Sequence, residues 1–336
     1  MATTFKNFLS NDLANTRTLL HEAIPVTGTI ASGTYADSNI KEYGHGMFQS
    51  VYDYPHLSSS ANHIFDVTFG YHADSVLQAA ANSQDSKKQN IYNQMAQTLV
   101  GYDATGSIKK FTNSEGAEMT DALFINFARL LTKDEIKKGS FTLNALTGGT
   151  AAARDGTFPM VITDTSGANG YRVDSPAGEY GYLYDASGAE KGALYYQAGI
   201  AILSGGIVFD HSFGAAATTG DVISYVTLST GSAIKEISDG LRNRLANVSF
   251  NNTTELNSTI YFCRVNHNDF NYSSNPTYLD GSKLRVKTMA ADAPVSYATT
   301  VGLYSADNEL LAVAKLSEPL RKSSDTELTL RVRLDY

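Results

Sequence analysis

The stretch YGYLYDASGAEKGALYYQAGIAIL, from Tyr180 to Leu203, decides the fold class of this chain. Its apolar and aromatic runs at Tyr180–Tyr184, Ala193–Tyr196 and Ile200–Leu203 have the length and composition of strands. Between the first two runs, Asp185-Ala-Ser-Gly-Ala supplies an aspartate that can bond to the backbone and a glycine that tolerates positive φ. The stretch therefore predicts antiparallel strands joined by short turns.

The same pattern continues on both sides of this stretch. Asp164-Thr-Ser-Gly-Ala repeats the turn chemistry, and Ser305-Ala-Asp-Asn308 has the composition of a hairpin connection. The apolar run Leu123–Leu131 is either a buried strand or a buried helix, and we favour a strand. Further strands are predicted at His63–Phe69, Met160–Ile162, Ser258–Val265, Tyr297–Tyr304, Leu310–Leu316 and Glu327–Tyr336.

Helical periodicity is limited to a few segments. Apolar residues recur three and four positions apart in Lys87–Val100 and in Ser232–Val248, for which Ser232 is the expected cap. Phe5–Ala23 is also predicted to be helical, with a shorter helix that begins at Ser10–Asp12 as the alternative. Thr132 and Glu135 have the spacing of a capping box, which predicts a helical turn that follows Thr132 and ends at Gly139.

These elements predict a β-dominated α+β fold, with antiparallel sheets in a sandwich-like arrangement and a few peripheral helices. We divide the chain into an N-terminal mixed region, residues 1–139, that contains a docking helix, and a β-rich body, residues 140–336. One interleaved domain is the alternative.

Composition excludes several classes of partner. The 336 residues carry a net charge of −8, and charged residues make up 18% of the chain, so we expect no nucleic-acid partner. No apolar run is long enough to span a bilayer and the N-terminus lacks the pattern of a signal peptide, so we expect a soluble chain that has no membrane partner and is retained in a cytoplasm. The single cysteine, Cys263, cannot form an internal disulfide.

The histidines do not form a catalytic or metal-binding pattern. His56, His63 and His72 lie close in sequence to Asp66, but strand alternation predicts that His63 and Asp66 point to opposite faces. The motifs of common hydrolases, nucleotide-binding loops and zinc proteases do not occur. We therefore predict no enzyme activity, no catalytic residue, no metal and no cofactor.

The remaining polar and aromatic residues have structural interpretations. His45 lies in a glycine turn and His267 in a polar loop. Cys263 alternates with apolar strand residues and is predicted to be a buried thiol. Asp164 and Asp185 could offer oxygen ligands to calcium, but their loops have too few carboxylates, so turns are favoured. The 20 tyrosines are suited to interface anchors rather than to sugar stacking.

Six segments of the chain carry a resemblance: Phe5-Lys-Asn-Phe-Leu-Ser-Asn-Asp, Met47-Phe-Gln-Ser-Val-Tyr-Asp-Tyr54, Leu131-Thr-Lys-Asp-Glu-Ile-Lys-Lys-Gly-Ser-Phe-Thr-Leu143, Gly192–Leu203, Tyr297–Tyr304 and Glu309–Leu316. Together these segments resemble virion structural proteins of tailed bacteriophages, and the first two resemble proteins of marine and cyanobacterial phages most closely. The resemblance is scattered over nearly the whole length and is moderately specific, since the segments indicate no reaction.

The resemblance implies a particle component assembled in the host cytoplasm and located in the virion, which we place in the tail baseplate. Its partners would be other virion proteins and copies of itself in a symmetric ring. Phe5, Phe8 and Leu9 are the candidate interface residues, because a short terminal helix is marginally stable without a partner surface; packing on its own domain is the alternative. A neck or capsid-decoration protein is the first rival, and a host-glycan binding module is the rival of another class. The third rival is an unrecognised hydrolase, which would need a polar cleft that gathers His63, Asp66 and another base or nucleophile.

Overall fold

The computed structural model describes residues 5–26, 37–79, 81–145, 160–205, 213–214, 222–223, 230–273, 278–280, 283–284, 289, 291 and 294–336. The chain forms two compact units. The smaller unit combines Met1–Leu19 with Glu255–Tyr336, and the larger unit is Leu20–Thr254. The boundary predicted at residue 140 lies inside the larger unit.

Most regular structure in the described residues is extended. The strands are β1 (Leu13–Pro25), β2 (Ile40–Glu42), β3 (Gln49–Tyr52), β4 (His63–Tyr71), β5 (Phe111–Thr112), β6 (Glu118–Met119), β7 (Asp121–Phe127), β8 (Glu135–Ile136), β9 (Thr142–Ala145), β10 (Met160–Thr163), β11 (Tyr180–Asp185), β12 (Glu190–Tyr195), β13 (Ile200–Leu203), β14 (Phe213–Gly214), β15 (Val222–Ile223), β16 (Leu245–Val265), β17 (Leu279–Asp280), β18 (Lys283–Leu284), β19 (Val295–Tyr304), β20 (Leu310–Ser323) and β21 (Leu328–Asp335).

The helices of the described residues are α1 (Asp85–Leu99), α2 (Arg129–Thr132), α3 (Gly167–Gly170) and α4 (Ile234–Arg244), with 3-10 turns at Ser10–Asp12 and Asp37–Asn39. The predicted β-dominated α+β class, with antiparallel sheets in a sandwich-like arrangement and few peripheral helices, is confirmed.

The larger unit is built on one antiparallel ladder. Its strand order is β16-β9-β10-β11-β12-β13-β7-β4-β3-β2. Consecutive strands of the quoted stretch pair as predicted: Tyr180 lies opposite Tyr195, and Tyr195 opposite Ile200. The Asp185 turn joins the first two of these strands, since the Asp185 carboxylate accepts hydrogen bonds from the backbone N–H groups of Ser187 and Ala189, both at 2.9 Å.

Both faces of this ladder are buried. On one face, Leu123, Ile125 and Leu203 pack in a cluster with Ile237 and Leu241 of α4. On the other face the alternate strand residues pack against α1, and this second cluster contains Ile91, Tyr92, Ala96, Leu99, Phe124, Tyr195 and Ile202. Burial of both faces explains why the central strands are almost uniformly apolar.

The smaller unit has two long sheet elements besides the short antiparallel pair β17–β18. The C-terminal part of β16 pairs with β21, from Ser258 opposite Asp335 to Val265 opposite Leu328. The other element is the hairpin β19–β20, whose strands form a two-stranded sheet. The predicted strands in this region are confirmed, and so is the turn at Ser305 that connects the hairpin strands.

The N-terminal helix predicted over Phe5–Ala23 is wrong, and so is the shorter helix offered as the alternative. Only Ser10–Asp12 forms a 3-10 turn, and β1 follows it directly. Strand β1 lies beside β16 in the sheet, so backbone pairing with another strand outweighs weak helical periodicity. The region therefore has no docking helix over its described residues.

Two other helix boundaries differ from the prediction. The helical turn precedes Thr132, as α2, and Glu135–Ile136 is strand β8, which pairs with β16. Helix α4 begins after Ala233, not Ser232, and ends at Arg244, because the chain from Leu245 pairs with β9. The prediction of α1 over 87–100 is confirmed. The strand predicted over Leu123–Leu131 is confirmed only as far as Phe127, because Arg129–Leu131 belongs to α2.

Helix α1 lies directly on β4 at Gly70. A Cβ atom at Gly70 would lie 2.6 Å from the Lys88 carbonyl oxygen and 2.7 Å from the Tyr92 nitrogen. Both are backbone atoms of the helix, so they cannot move aside as a flexible side chain can. The absence of a side chain at this position allows the helix to approach the sheet.

We expect Gly70→Ala to reduce the free energy of unfolding by about 2 kcal/mol or more, because α1 must move off the sheet. Urea denaturation measures the change. Gly44→Ala is the control, since an added Cβ meets no atom within 4 Å there. Equal stability of the two variants would contradict the close approach.

Lys88 is a buried lysine at this junction. It is 0% exposed, and its Nζ donates a hydrogen bond of 2.8 Å to the Ser232 carbonyl oxygen ahead of α4. Its Nζ also lies 5.9 Å from the centroid of the Tyr71 ring. Burial lowers the pKa of Lys88 to about 8, although the charges of Asp85 and Glu236 oppose the shift.

This lowered pKa predicts a pH-dependent stability. The folded state favours the neutral amine, so the contribution of Lys88 to stability is present above the unfolded pKa of 10.5 and is lost as the pH falls through about 8. Between pH 7 and pH 10, the free energy of unfolding of the native chain should rise by about 2 kcal/mol relative to Lys88→Met. Chemical denaturation at both pH values checks this.

Lys87→Met is the matched control, because Lys87 is exposed on the same helix. A native-minus-variant difference for Lys88→Met that does not depend on pH would contradict the expectation.

Candidate assembly interface

The N-terminal segment, residues 5–12, lies on the smaller unit through aromatic and charged contacts. The Phe5 ring packs edge-on against Tyr304, with centroids 5.1 Å apart. Lys6 Nζ lies 2.5 Å from the carboxylate of Asp269, and this hydrogen bond lowers the pKa of Asp269. These contacts tie the segment to the hairpin β19–β20 and to the loop after β16.

Phe8 and Asp12 extend this attachment along β16. The Phe8 and Tyr261 ring centroids are 5.5 Å apart. Asp12 is buried; its carboxylate accepts the backbone N–H of Leu9 at 2.9 Å and lies 2.7 Å from Arg264 Nε. The segment is therefore held in place by contacts within its own unit.

The end of the hairpin β19–β20 carries exposed apolar side chains. Its turn is formed by Ser305, whose N–H donates to the Glu309 carbonyl at 2.9 Å, while Asn308 adopts a φ of +64°. Leu311 is 67% exposed and Val313 is 60% exposed. A Cβ atom at Gly302 would lie within 3.3 Å of the Tyr304 and Leu310 side chains, so these two side chains cover the glycine.

We call this surface the tip patch, and its members are Phe5, Tyr304, Leu310, Leu311 and Val313. All five are exposed large apolar or aromatic residues on one unit. Phe5 packs on Tyr304, and Tyr304 and Leu310 both lie over Gly302; apolar side chains exposed side by side in this way are typical of protein–protein contact surfaces. Aromatic side chains are also the residues most enriched at the centre of such surfaces.

The unit that carries the tip patch has no net charge. The smaller unit contains eleven basic and eleven acidic side chains, whereas the larger unit contains 15 basic and 23 acidic ones. The whole net charge of −8 therefore belongs to the larger unit. A neutral surface meets less long-range repulsion from another acidic protein than the rest of the chain would.

Only one of the three predicted interface residues belongs to the tip patch. Phe5 is a member of the tip patch. Phe8 is 37% exposed and packs on Tyr261, while Leu9 is 64% exposed. The hairpin residues were missed by sequence reasoning, because Glu309–Leu316 is recognisable as a strand but its pattern does not show which face stays uncovered.

His63 and Asp66 lie together, which corrects the prediction that they point to opposite faces. His63 Nε2 is 2.8 Å from Asp66 Oδ1. In the β3–β4 pairing, Tyr52 lies opposite His63 and Val51 opposite Phe65, so β4 contains one extra residue at Ile64. This bulge shifts the alternation by one position.

The cluster that results does not have the order of a catalytic triad. Asp66 Oδ1 accepts hydrogen bonds both from His63 and from the Ser50 hydroxyl, the latter at 2.5 Å. A nucleophilic serine needs the imidazole between hydroxyl and carboxylate. Here the carboxylate lies between them, and Ser50 is buried.

The other residues considered in the sequence analysis have structural partners. His45 Nδ1 lies 3.0 Å from the Met47 nitrogen, His56 Nδ1 lies 2.9 Å from the Ser38 carbonyl oxygen, and His72 Nδ1 lies 3.1 Å from the Asp74 nitrogen. His267 Nδ1 lies 3.4 Å from a Glu327 carboxylate oxygen. Cys263 is partly buried, and burial raises the pKa of its thiol.

The carboxylates of the two turn aspartates bond to different parts of the chain. The Asp185 carboxylate serves its own turn, and hydrogen bonds led by the Ser187 hydroxyl lower its pKa to about 2. Asp164 is buried and accepts the backbone N–H groups of Gly139 and Phe141, both at 2.8 Å. Burial nevertheless raises the pKa of Asp164.

Within the described ranges, no three His, Cys, Asp or Glu side chains lie close enough to hold a metal ion. None of the helices in the same ranges combines the length and the hydropathy needed to cross a bilayer. No family model, no curated protein and no solved structure matches the chain.

Asp12→Ala should loosen the N-terminal segment. It removes the acceptor of the Leu9 N–H and the ion-pair partner of Arg264, and the loss of a hydrogen bond to a charged group costs about 1.5–3 kcal/mol. Hydrogen exchange read by mass spectrometry should show faster exchange at residues 5–12.

Asp307→Ala removes an exposed carboxylate from the hairpin turn and is the control. Unchanged exchange of the segment in Asp12→Ala would show that the other contacts hold it alone.

Proposed function

We propose that this chain is a structural component of a bacteriophage virion that assembles through protein–protein contacts, most specifically in the tail baseplate. The observation that carries the proposal is the tip patch: five exposed apolar or aromatic side chains gathered on one neutral unit. An assembly component needs such a surface, because burial of apolar area drives association.

The sequence resemblance to virion proteins of tailed phages supports the same role. Two of the resembling segments, Tyr297–Tyr304 and Glu309–Leu316, form the two strands of the hairpin that carries the patch. The N-terminal resembling segment supplies Phe5, which packs on Tyr304. Three segments that are distant in the sequence therefore meet at one surface.

The polar clusters of the larger unit are weaker grounds for a function. Asp66 lies between Ser50 and His63, and the Asp185 carboxylate is occupied by its own turn. A role in assembly explains why the apolar side chains of the tip patch are exposed, whereas a catalytic role does not.

The test is to purify phage particles that encode this chain and to locate it. Peptide mass spectrometry of gradient-purified particles should detect it, and cryo-electron microscopy should place its density in a ring below the tail tube. Absence from purified particles would refute the virion role. Density at the neck or on the capsid lattice would refute the baseplate placement and support the rival positions.

A polar variant of the patch tests the surface itself. Leu311→Asn with Val313→Asn should leave the circular dichroism spectrum unchanged, because both side chains are exposed, yet strongly reduce incorporation into particles. Leu57→Asn replaces an apolar residue of the larger unit that is still more exposed, at 90%, and is the control. Normal incorporation of the double variant would exclude the tip patch as the contact.

A further inference from the structure

Lys322 is a buried lysine of strand β20, at the open end of the hairpin β19–β20. It is 1% exposed. Its Nζ donates hydrogen bonds to the His267 carbonyl oxygen at 3.0 Å, the Asn271 side-chain oxygen at 2.6 Å and the Ser323 carbonyl oxygen at 2.7 Å. All three acceptors are neutral, and no carboxylate among the described residues forms an ion pair with this amine. A buried ammonium group is costly when no opposite charge compensates it.

The carboxamide of Asn271 is held against this amine. Asn271 Nδ2 donates at 2.8 Å to the His267 carbonyl oxygen, which also accepts from Lys322. A carbonyl bond is about 1.23 Å long, so the Asn271 Cγ atom lies no more than about 3.8 Å from Lys322 Nζ. Reacting atoms in a near-attack arrangement are about 3–3.5 Å apart. A small rotation of the carboxamide therefore brings Cγ within reach of the amine.

The loop that carries Asn271 is fixed on the same end of the hairpin. Ser296 lies opposite Lys322 in the β19–β20 pairing, and its hydroxyl donates to the carbonyl oxygen of Phe270. Phe270 adopts a φ of +53°, which is rare for a bulky residue and persists only where surrounding contacts impose it. The fold thus holds the amine and the carboxamide together, and such positioning replaces the high concentrations that the same reaction needs in water.

Two carboxylates can accept the proton that the amine must release before it attacks. A hydrogen bond from Lys6 and, more weakly, the charge of Lys322 lower the pKa of Asp269. A hydrogen bond from the Ser323 hydroxyl and, more weakly, the charge of Lys322 lower the pKa of Asp325. Both carboxylates are therefore ionised at neutral pH and lie within electrostatic reach of the amine.

We propose that Lys322 and Asn271 join in an intramolecular isopeptide bond. The amine gives one proton to a carboxylate and attacks Cγ, so that the Nζ–Cγ bond forms and the Cγ–Nδ2 bond breaks. A second proton moves from Nζ to Nδ2, which leaves as ammonia and takes up the first proton. One ammonium group and one carboxamide thereby become a secondary amide and a free ammonium ion, and the buried charge leaves with that ion.

This bond ties strand β20 to the loop after β16. A two-stranded hairpin is marginally stable by itself in water, and a covalent link between distant residues stabilises a fold by restricting the unfolded chain. The bond goes beyond the assembly role proposed above and does not depend on it, because the chain forms it alone, inside or outside a particle.

Intact-mass spectrometry of the purified full-length chain tests the bond. The native chain should be lighter than its sequence mass by one ammonia, either at once or after incubation at neutral pH. A digest should contain a branched peptide in which fragmentation locates the junction between Lys322 and Asn271. A native chain that keeps its sequence mass, with both residues recovered in linear peptides, would overturn the proposal. So would a loss of ammonia without a branched peptide, since an asparagine that cyclises on its own backbone also releases ammonia.

Variants test the two partners separately. Lys322→Arg keeps the positive charge but removes the nucleophilic amine, and Asn271→Ala removes the carboxamide, so both should keep their sequence mass. Lys315→Arg is the matched control, because Lys315 is an exposed lysine of the same strand, and it should lose one ammonia as the native chain does. Loss of ammonia that persists in Lys322→Arg would assign the reaction to other residues. The branched peptide of the native chain needs no variant, so it decides the question even if a variant misfolds.

Discussion

The larger unit depends on the close contact between helix α1 and strand β4 at Gly70. The helix backbone comes so near that a single methyl group would collide with the carbonyl of Lys88 and the nitrogen of Tyr92. This approach lets Ile91, Tyr92 and Leu99 cover one face of the sheet, while α4 covers the other. The central strands can be apolar on both sides only because both faces are covered.

The smaller unit covers its apolar side chains less completely. Its hairpin β19–β20 buries Leu303 and Val295, but it leaves Tyr304, Leu311 and Val313 exposed. A two-stranded hairpin is marginally stable by itself in water, so contacts from the N-terminal segment, such as Phe5 on Tyr304, contribute to its order. The same exposure that makes the hairpin marginal makes it suitable for contact with another chain.

The polar groups of the larger unit serve its structure. In the larger unit, buried polar groups such as Lys88 and Asp164 bond to backbone groups and tie elements together. The cluster at His63 results from one bulge in β4, and its hydrogen bonds satisfy one another. The uncovered surface of the smaller unit is therefore the stronger ground for a function.

The sequence by itself determined the β-dominated class, the strands of the quoted stretch, helix α1 and the apolar face of α4, because strand alternation and helical periodicity are local patterns that apolar burial imposes. Tertiary structure alone decided that Leu13–Pro25 is a strand and not part of a helix, since its place beside β16 is a contact between residues distant in the sequence. Tertiary structure also decided which face of Glu309–Leu316 stays exposed. An apolar strand pattern is the same whether the strand is buried within its own chain or contacts another chain.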